Sequence, residues 1–173
     1  MSKFYQISTA DFADKHGDYE LIGVEGDKVF IQSKTALDAP FVELVALPEL
    51  LQKELNARLE NLKVAKIKAI NEKRDENINA GVEYKGHIFQ SEDEDRNLLV
   101  AAGVNFQKLG ATPKNFVWIS KDNELVPFSL DDLFALGAKI AQNVNENTLK
   151  ARTLKDKVLA ATTLKEIEAV KWD

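Results

Sequence analysis

The sequence predicts an α+β fold, on three observations. A stretch of helical periodicity without Gly or Pro follows Pro48, short apolar runs bounded by turn residues lie before and after it, and Ser/Thr–acid pairs at capping-box spacing open several later segments. These features divide the chain into a β-rich segment over residues 1–47, a long helix over 48–80 and a small α+β domain over 81–173.

In the first segment, residues 19–24 and 28–32 are apolar, β-branched runs around Glu25-Gly26-Asp27, which predicts a hairpin. Residues 41–47 form a further apolar stretch, ended by Pro48. Proline suits a first helical position because it has no N–H to leave unsatisfied. Leu51, Leu55, Leu59 and Leu62 then step by four, four and three, which marks one helical face, and Gly81 stands where a C-cap would. The 32 residues from Glu49 to Ala80 would span roughly 48 Å as a helix. A compact globule of this length has a radius of gyration of about 16 Å. The helix is therefore expected to protrude and to leave those four leucines as a partner-binding face, driving self-association or docking on a neighbour. The alternative is that residues 1–47 fold back and cover them. Leu55, Leu62 and Ala69 share a heptad position but Leu59 is followed by Lys66, so no long autonomous coiled coil is expected.

Beyond Gly81 the rhythm changes. Residues 82–90 predict a short hairpin with Lys85-Gly86 near its turn. Ser91 with Glu94 has capping spacing for a helix whose buried side is Leu98, Leu99, Ala102, Phe106 and Leu109, closed by Gly110 and Pro113. Residues 116–119 and 124–128 bracket Ser120-Lys-Asp-Asn123 as a second hairpin, with Trp118 as a core residue. Ser129 with Asp132 opens a helix carrying Leu133, Leu136, Ile140 and Val144. Asn145-Glu-Asn147 separates it from another with Leu149, Leu154, Val158 and Leu159, and Thr163 with Glu166 caps a last turn before Trp172.

The same residues give little to build chemistry from. The chain has no cysteine, which excludes disulfides, zinc–thiolate sites, iron–sulfur clusters and thiol catalysis. Its two histidines, His16 and His87, lack metal-ligand spacing, and no nucleophile elbow, phosphate loop or dinucleotide fingerprint occurs. Glu92 to Asp95 are four consecutive acids, which suit a helix start rather than the alternating ligands of a calcium loop. No catalytic residue, metal ligand or cofactor is expected, and the protein is read as a non-enzyme. The net charge is −5, with four basic against eight acidic side chains in residues 1–48, and no segment carries the basic stripe of a nucleic-acid binder. No run approaches the roughly 18 apolar residues of a membrane span. The opening residues lack the apolar core of a signal peptide, which fits a chain that folds in the cytoplasm.

From about residue 64 onward one ordered series of short motifs stands out. Lys73-Arg-Asp75, Gly81-Val-Glu-Tyr-Lys-Gly86 and Ile88-Phe-Gln90 open it; Val117-Trp-Ile119, Asp122-Asn123, Val126 to Phe128 and Asp131-Asp-Leu133 continue it. Leu154-Lys-Asp-Lys-Val-Leu-Ala-Ala161, Leu164, Ile167 and Lys171-Trp172 complete it. This order resembles a domain of unknown function carried by tailed-bacteriophage proteins, found near tail-fibre and tail-fibre-assembly genes. The resemblance implies a virion tail, baseplate or fibre-associated structural or adaptor protein, or alternatively a fibre-assembly chaperone that the particle does not retain. It implies other tail or fibre proteins as partners, and a passage from the host cytoplasm to the virion tail. It carries no catalytic or binding residues with it.

Overall fold

The structure, a computed structural model, describes residues 2–173. Strands β1 (Lys3–Ser8), β2 (Tyr19–Glu25), β3 (Lys28–Ser33) and β4 (Val42–Leu44) form one antiparallel sheet in the order β2-β3-β1-β4. A four-residue helix, α1 (Thr9–Phe12), follows β1, with the Ser8 hydroxyl accepting from the Asp11 N–H at 3.0 Å. The predicted hairpin is β2–β3, in which Glu25 faces Lys28 and Gly26 takes φ +58° in the turn. Strand β1 was not anticipated, yet it lies inside the sheet. Its residues alternate as a two-sided strand must: Tyr5 and Ile7 cluster with Val29 and Ile31, while Phe4 packs beside Phe30 on the other cluster.

Helix α2 (Glu49–Asn79) runs almost as predicted, and two short hairpins, β5 (Val82–Tyr84) with β6 (His87–Phe89) and β7 (Val117–Ile119) with β8 (Leu125–Pro127), flank α3 (Asp93–Leu109). The chain closes with α4 (Leu130–Ala160) and α5 (Leu164–Ala169). The architecture is α+β, as expected. Three details differ from the sequence reading. Helix α4 is continuous through Asn145-Glu-Asn147, because asparagine lowers helix propensity by only a fraction of a kilocalorie, and here Asn147 also donates to the Asn143 carbonyl at 2.9 Å. The α3 start is shifted by one residue: the Glu92 N–H donates to Asp95 at 3.2 Å. Ser91 is instead fully buried and donates to the Ile78 carbonyl in the last turn of α2.

The chain forms two compact units, one of residues up to Lys68 with Lys155–Asp173, the other Ala69–Leu154. The divisions expected at Pro48 and Gly81 are not followed, since α2 and α4 each contribute to both units. What covers a stretch of long helix, not where the helix begins, decides which unit that stretch belongs to. The core is divided likewise, rather than concentrated in residues 81–173. The first unit holds two clusters, Ile22, Phe30, Leu47, Leu51 and Leu55 on one side of the sheet and Tyr5, Ile7, Val29 and Ile31 on the other.

The second unit centres on Phe89, Leu99, Val126, Phe128, Leu133, Leu136 and Ile140. Phe89 and Phe128 meet edge to face at 5.1 Å. Trp118 is half-buried at the margin of this core rather than inside it, beside Phe116 and Phe128, while its strand partner Val126 is the hairpin residue that enters the core. Trp172 is half-buried, as expected for a packed terminal aromatic.

Gly81 joins α2 to β5 at φ +104°, where a Cβ would lie 2.6 Å from Ile88 Cγ2 and 2.8 Å from the Phe89 carbonyl oxygen. Backbone strain and overpacking there each cost on the order of 1–3 kcal/mol. Gly81→Ala is therefore expected to lower the stability measured by denaturant melts by about 2 kcal/mol or more; a loss below about 0.5 kcal/mol would mean the turn re-forms freely.

Candidate functional site

The leucine face of α2 is the site the sequence proposes, and the structure covers half of it. Leu51 and Leu55 are 8% and 2% exposed, packed with Ile22 and Phe30 of the sheet, and Leu59 is half-buried against the same cluster. Leu62 is half-buried. The expectation that all four lie bare for a partner is thus corrected: residues 2–47 fold back over the first two. What covers them is the sheet's apolar side: Ile22, the extra residue of the β2 bulge between Leu21 and Gly23, lies with Phe30 against Leu51 and Leu55. Leu51 approaches Gly23 so closely that a Cβ there would lie 2.8 Å from its Cδ2, a methyl that would have to turn aside. Of the predicted face, Leu62 and the outer part of Leu59 remain accessible.

A concavity in the first unit lies where β2 begins, β3 ends and α5 packs. It holds about 240 Å³ and is lined by Tyr19, Gln32, Ser33 and Ala169 with a rim of charged groups. Thr163 caps α5, its hydroxyl accepting from the Glu166 N–H at 3.1 Å while Glu166 accepts from the Thr163 N–H at 3.1 Å, the capping box the sequence predicted. Glu166 also accepts from the Thr162 N–H at 2.8 Å and pairs with Lys34. The next two N–H groups of α5, from Leu164 and Lys165, donate to the Glu20 carboxylate at 3.1 and 2.7 Å, and the Lys165 ammonium pairs with Asp18. Sequence reasoning missed Glu20, Lys34 and Asp18. Their partners lie more than 130 residues away, and no local pattern reports such a contact.

Electrostatics follow from these bonds. The Lys34 ammonium and then the Thr162 N–H hold the Glu166 carboxyl at about 2, below its ordinary 4.5. Lys165 lowers the Asp18 carboxyl and Asp18 raises the Lys165 ammonium. Carboxylates held ionised by lysines and backbone N–H groups are weak proton acceptors. The floor residue Gln32 is buried and its Oε1 has no hydrogen-bond partner.

In the second unit Asp132 is the most heavily engaged carboxylate. It accepts from the Ser129 N–H and hydroxyl, both at 2.8 Å, from the Tyr84 hydroxyl at 2.8 Å and from Lys85 at 3.2 Å. The Ser129 backbone bond, foremost, pulls its carboxyl far down, and the Asp132 bond raises the Tyr84 phenol. The cluster caps α4 and ties down the β5–β6 hairpin, whose turn residues Lys85 and Gly86 both take positive φ as a type I′ turn requires. His87 is half-buried with its ring 6.4 Å from Phe89. Asp93 pairs with Arg96, and Glu92 and Asp95 form the capping box of α3, so three of the four acids at its start serve that helix. Among the described residues no group of three or more His, Asp or Glu could hold a metal ion, and no helix is long and apolar enough to cross a membrane.

The fold and these contacts define a two-unit α+β chain whose polar clusters are built as caps and ties. Residues 61–171 match the family described as Domain of unknown function (DUF4376), and the chain belongs to that family. Neither a curated protein nor a solved structure matches it.

Two outcomes check this account of the site. Leu55→Ala is expected to cost about 2–5 kcal/mol in denaturant melts, the range for a buried leucine, whereas Leu50→Ala, at a position 64% exposed, is expected to cost under about 0.5 kcal/mol; equal small losses would return Leu55 to the surface. The second concerns pH. Because the folded Glu166 value lies below the ordinary one, its contribution is present above about pH 4.5 and is lost as pH falls toward 2. The unfolding midpoint is expected to drop across that window, less steeply in Glu166→Gln; parallel curves would take Glu166 out of the acid response.

Proposed function

We propose that this protein is a tail, baseplate or fibre-associated component of a bacteriophage virion that acts by protein–protein contact rather than catalysis. The observation that carries the proposal is the ordered motif series from Lys73-Arg-Asp75 to Lys171-Trp172, with its resemblance to a domain of tailed-phage proteins. Two structural features support it. The carboxylates of the polar clusters are committed to helix ends and lysines, as a structural part would use them. Helix α3 leaves Leu98, Val100, Val104 and Leu109 exposed, apolar surface that a neighbouring subunit can cover. The partners would be other tail or fibre proteins or further copies of this chain, met in the host cytoplasm and kept in the tail.

Mass spectrometry of purified phage particles tests this directly. The protein is expected in the particle at a constant ratio to known tail subunits. Its absence from particles, combined with co-purification on a fibre protein from the lysate, would replace the proposal with that of an assembly chaperone.

A further inference from the structure

The C-terminal helix α5 lies within the family segment 61–171, but the groups that grip it come from outside that segment. Glu20 holds two of its N–H groups, Asp18 pairs with Lys165 and Lys34 pairs with Glu166. The two surfaces are complementary in charge: the end of the β2–β3 hairpin offers two carboxylates and a lysine, and α5 offers N–H groups, a lysine and a carboxylate. The ion-paired side chains lie toward solvent, since Lys34, Lys165 and Asp18 are each more than half exposed. Beneath them one apolar plug, Ile167, is fully buried. From α2, Lys66 reaches only a backbone carbonyl, that of Glu168, at 3.3 Å.

We propose that α5 is an interaction surface for the N-terminal β module, and that it works as a strap, closing on the end of the β2–β3 hairpin through Glu20, Asp18 and Lys34 and opening without the rest of the chain unfolding. A strap of this kind needs to come away locally, and α5, with six residues, is too short to stay helical by itself once released, its capping box of Thr163 and Glu166 closing only the first turn. The strap also needs ties that solvent can reach, because exposed pairs are weak singly and are screened by salt. The neighbouring cavity of about 240 Å³ leaves Ala169 without close packing on that side. The occupant of the surface is the chain's own hairpin; Glu20 positions the helix and the two ion pairs fix its register.

Hydrogen exchange read by mass spectrometry on the full chain tests the strap. In Glu20→Ala/Lys34→Ala, amides of residues 164–170 are expected to exchange about ten-fold faster or more, with those of residues 69–154 unchanged. Lys34→Arg, which keeps the pair, is expected to exchange like wild type. Unchanged exchange in 164–170 would show that Ile167 alone holds the helix and would overturn the proposal. A uniform acceleration along the whole chain would overturn it too, since α5 would then not open by itself. Should the double variant fail to fold, wild type in about 1 M salt against low salt gives the same reading, because screening acts on these exposed pairs first: faster exchange confined to 164–170 supports the strap, and no local change overturns it.

Discussion

The first unit depends on the burial of Leu51 and Leu55 of α2 against Ile22 and Phe30 of the N-terminal sheet, and at Gly23 the strand and Leu51 come into close approach. The bulge between Leu21 and Gly23 turns Ile22 inward, where it meets Leu47, Leu51 and Leu55 together with Phe30. Burying a leucine is worth about 1.5–3 kcal/mol, so Leu51 and Leu55, half of the row that would otherwise drive association, stabilise the chain's own fold. The apolar surface left on α2 is the half-buried Leu59 and Leu62 at the far end of that row, together with Leu50 and Val64 on other faces of the helix.

How much of this was legible in the sequence depends on the range of the interactions involved. The bounds of α2, the two later hairpins and the caps at Ser129 and Thr163 were readable, because each is set by residues near one another in the chain, as in Val117 paired with Pro127 or Ser129 with Asp132. Strand β1 escaped notice because Lys3–Ser8 mixes polar and apolar residues and is flanked by no turn signal; it exists because β3 and β4 pair with both its edges. The break assigned at Asn145–Asn147 failed for the opposite reason, a weak local preference overridden by the side-chain bonds of a continuous helix. Of the proposed site, the four leucines all fall within α2, but that the sheet covers Leu51 and Leu55 depends on residues about 20 to 30 positions away, Ile22 and Phe30, which no local periodicity reports. Glu20, Lys34 and Asp18 left no trace at all, being ordinary acids and a lysine until α5 is brought to them.

The polar clusters share one design. Asp132, Glu166 and Glu20 each accept backbone N–H groups at the start of a helix, and the first two also take a lysine. Asp132 and Glu166 are held ionised by these bonds and have few lone pairs left to take a proton from a substrate. The same residue types at the same capping spacing are what a search for paired catalytic carboxylates would pick out from a linear sequence. Their bonding argues for joints between elements instead. Lys85 shows how far such a joint reaches: it stands at positive φ in the β5–β6 turn, and its ammonium spans the Pro127 carbonyl, Asp132 and the face of Phe128.

The limits of the family segment and of the compact units do not coincide, and the difference has a physical meaning. The segment begins at residue 61, inside α2, and runs to residue 171, beyond α5. Its first residues, up to Lys68, and its last, from Lys155, fall in the unit completed by the N-terminal sheet. Taken alone, then, the segment would hold one whole unit, Ala69–Leu154, and two pieces of another. In those pieces Val158 and Ile167 are fully buried, and the N–H groups of Leu164 and Lys165 are matched by a carboxylate from outside the segment. Apolar side chains and helix-end donors of this kind are costly to leave bare. At α5, then, the family segment presents helix-end donors, a lysine and a carboxylate that Glu20, Asp18 and Lys34 match from outside it in this chain.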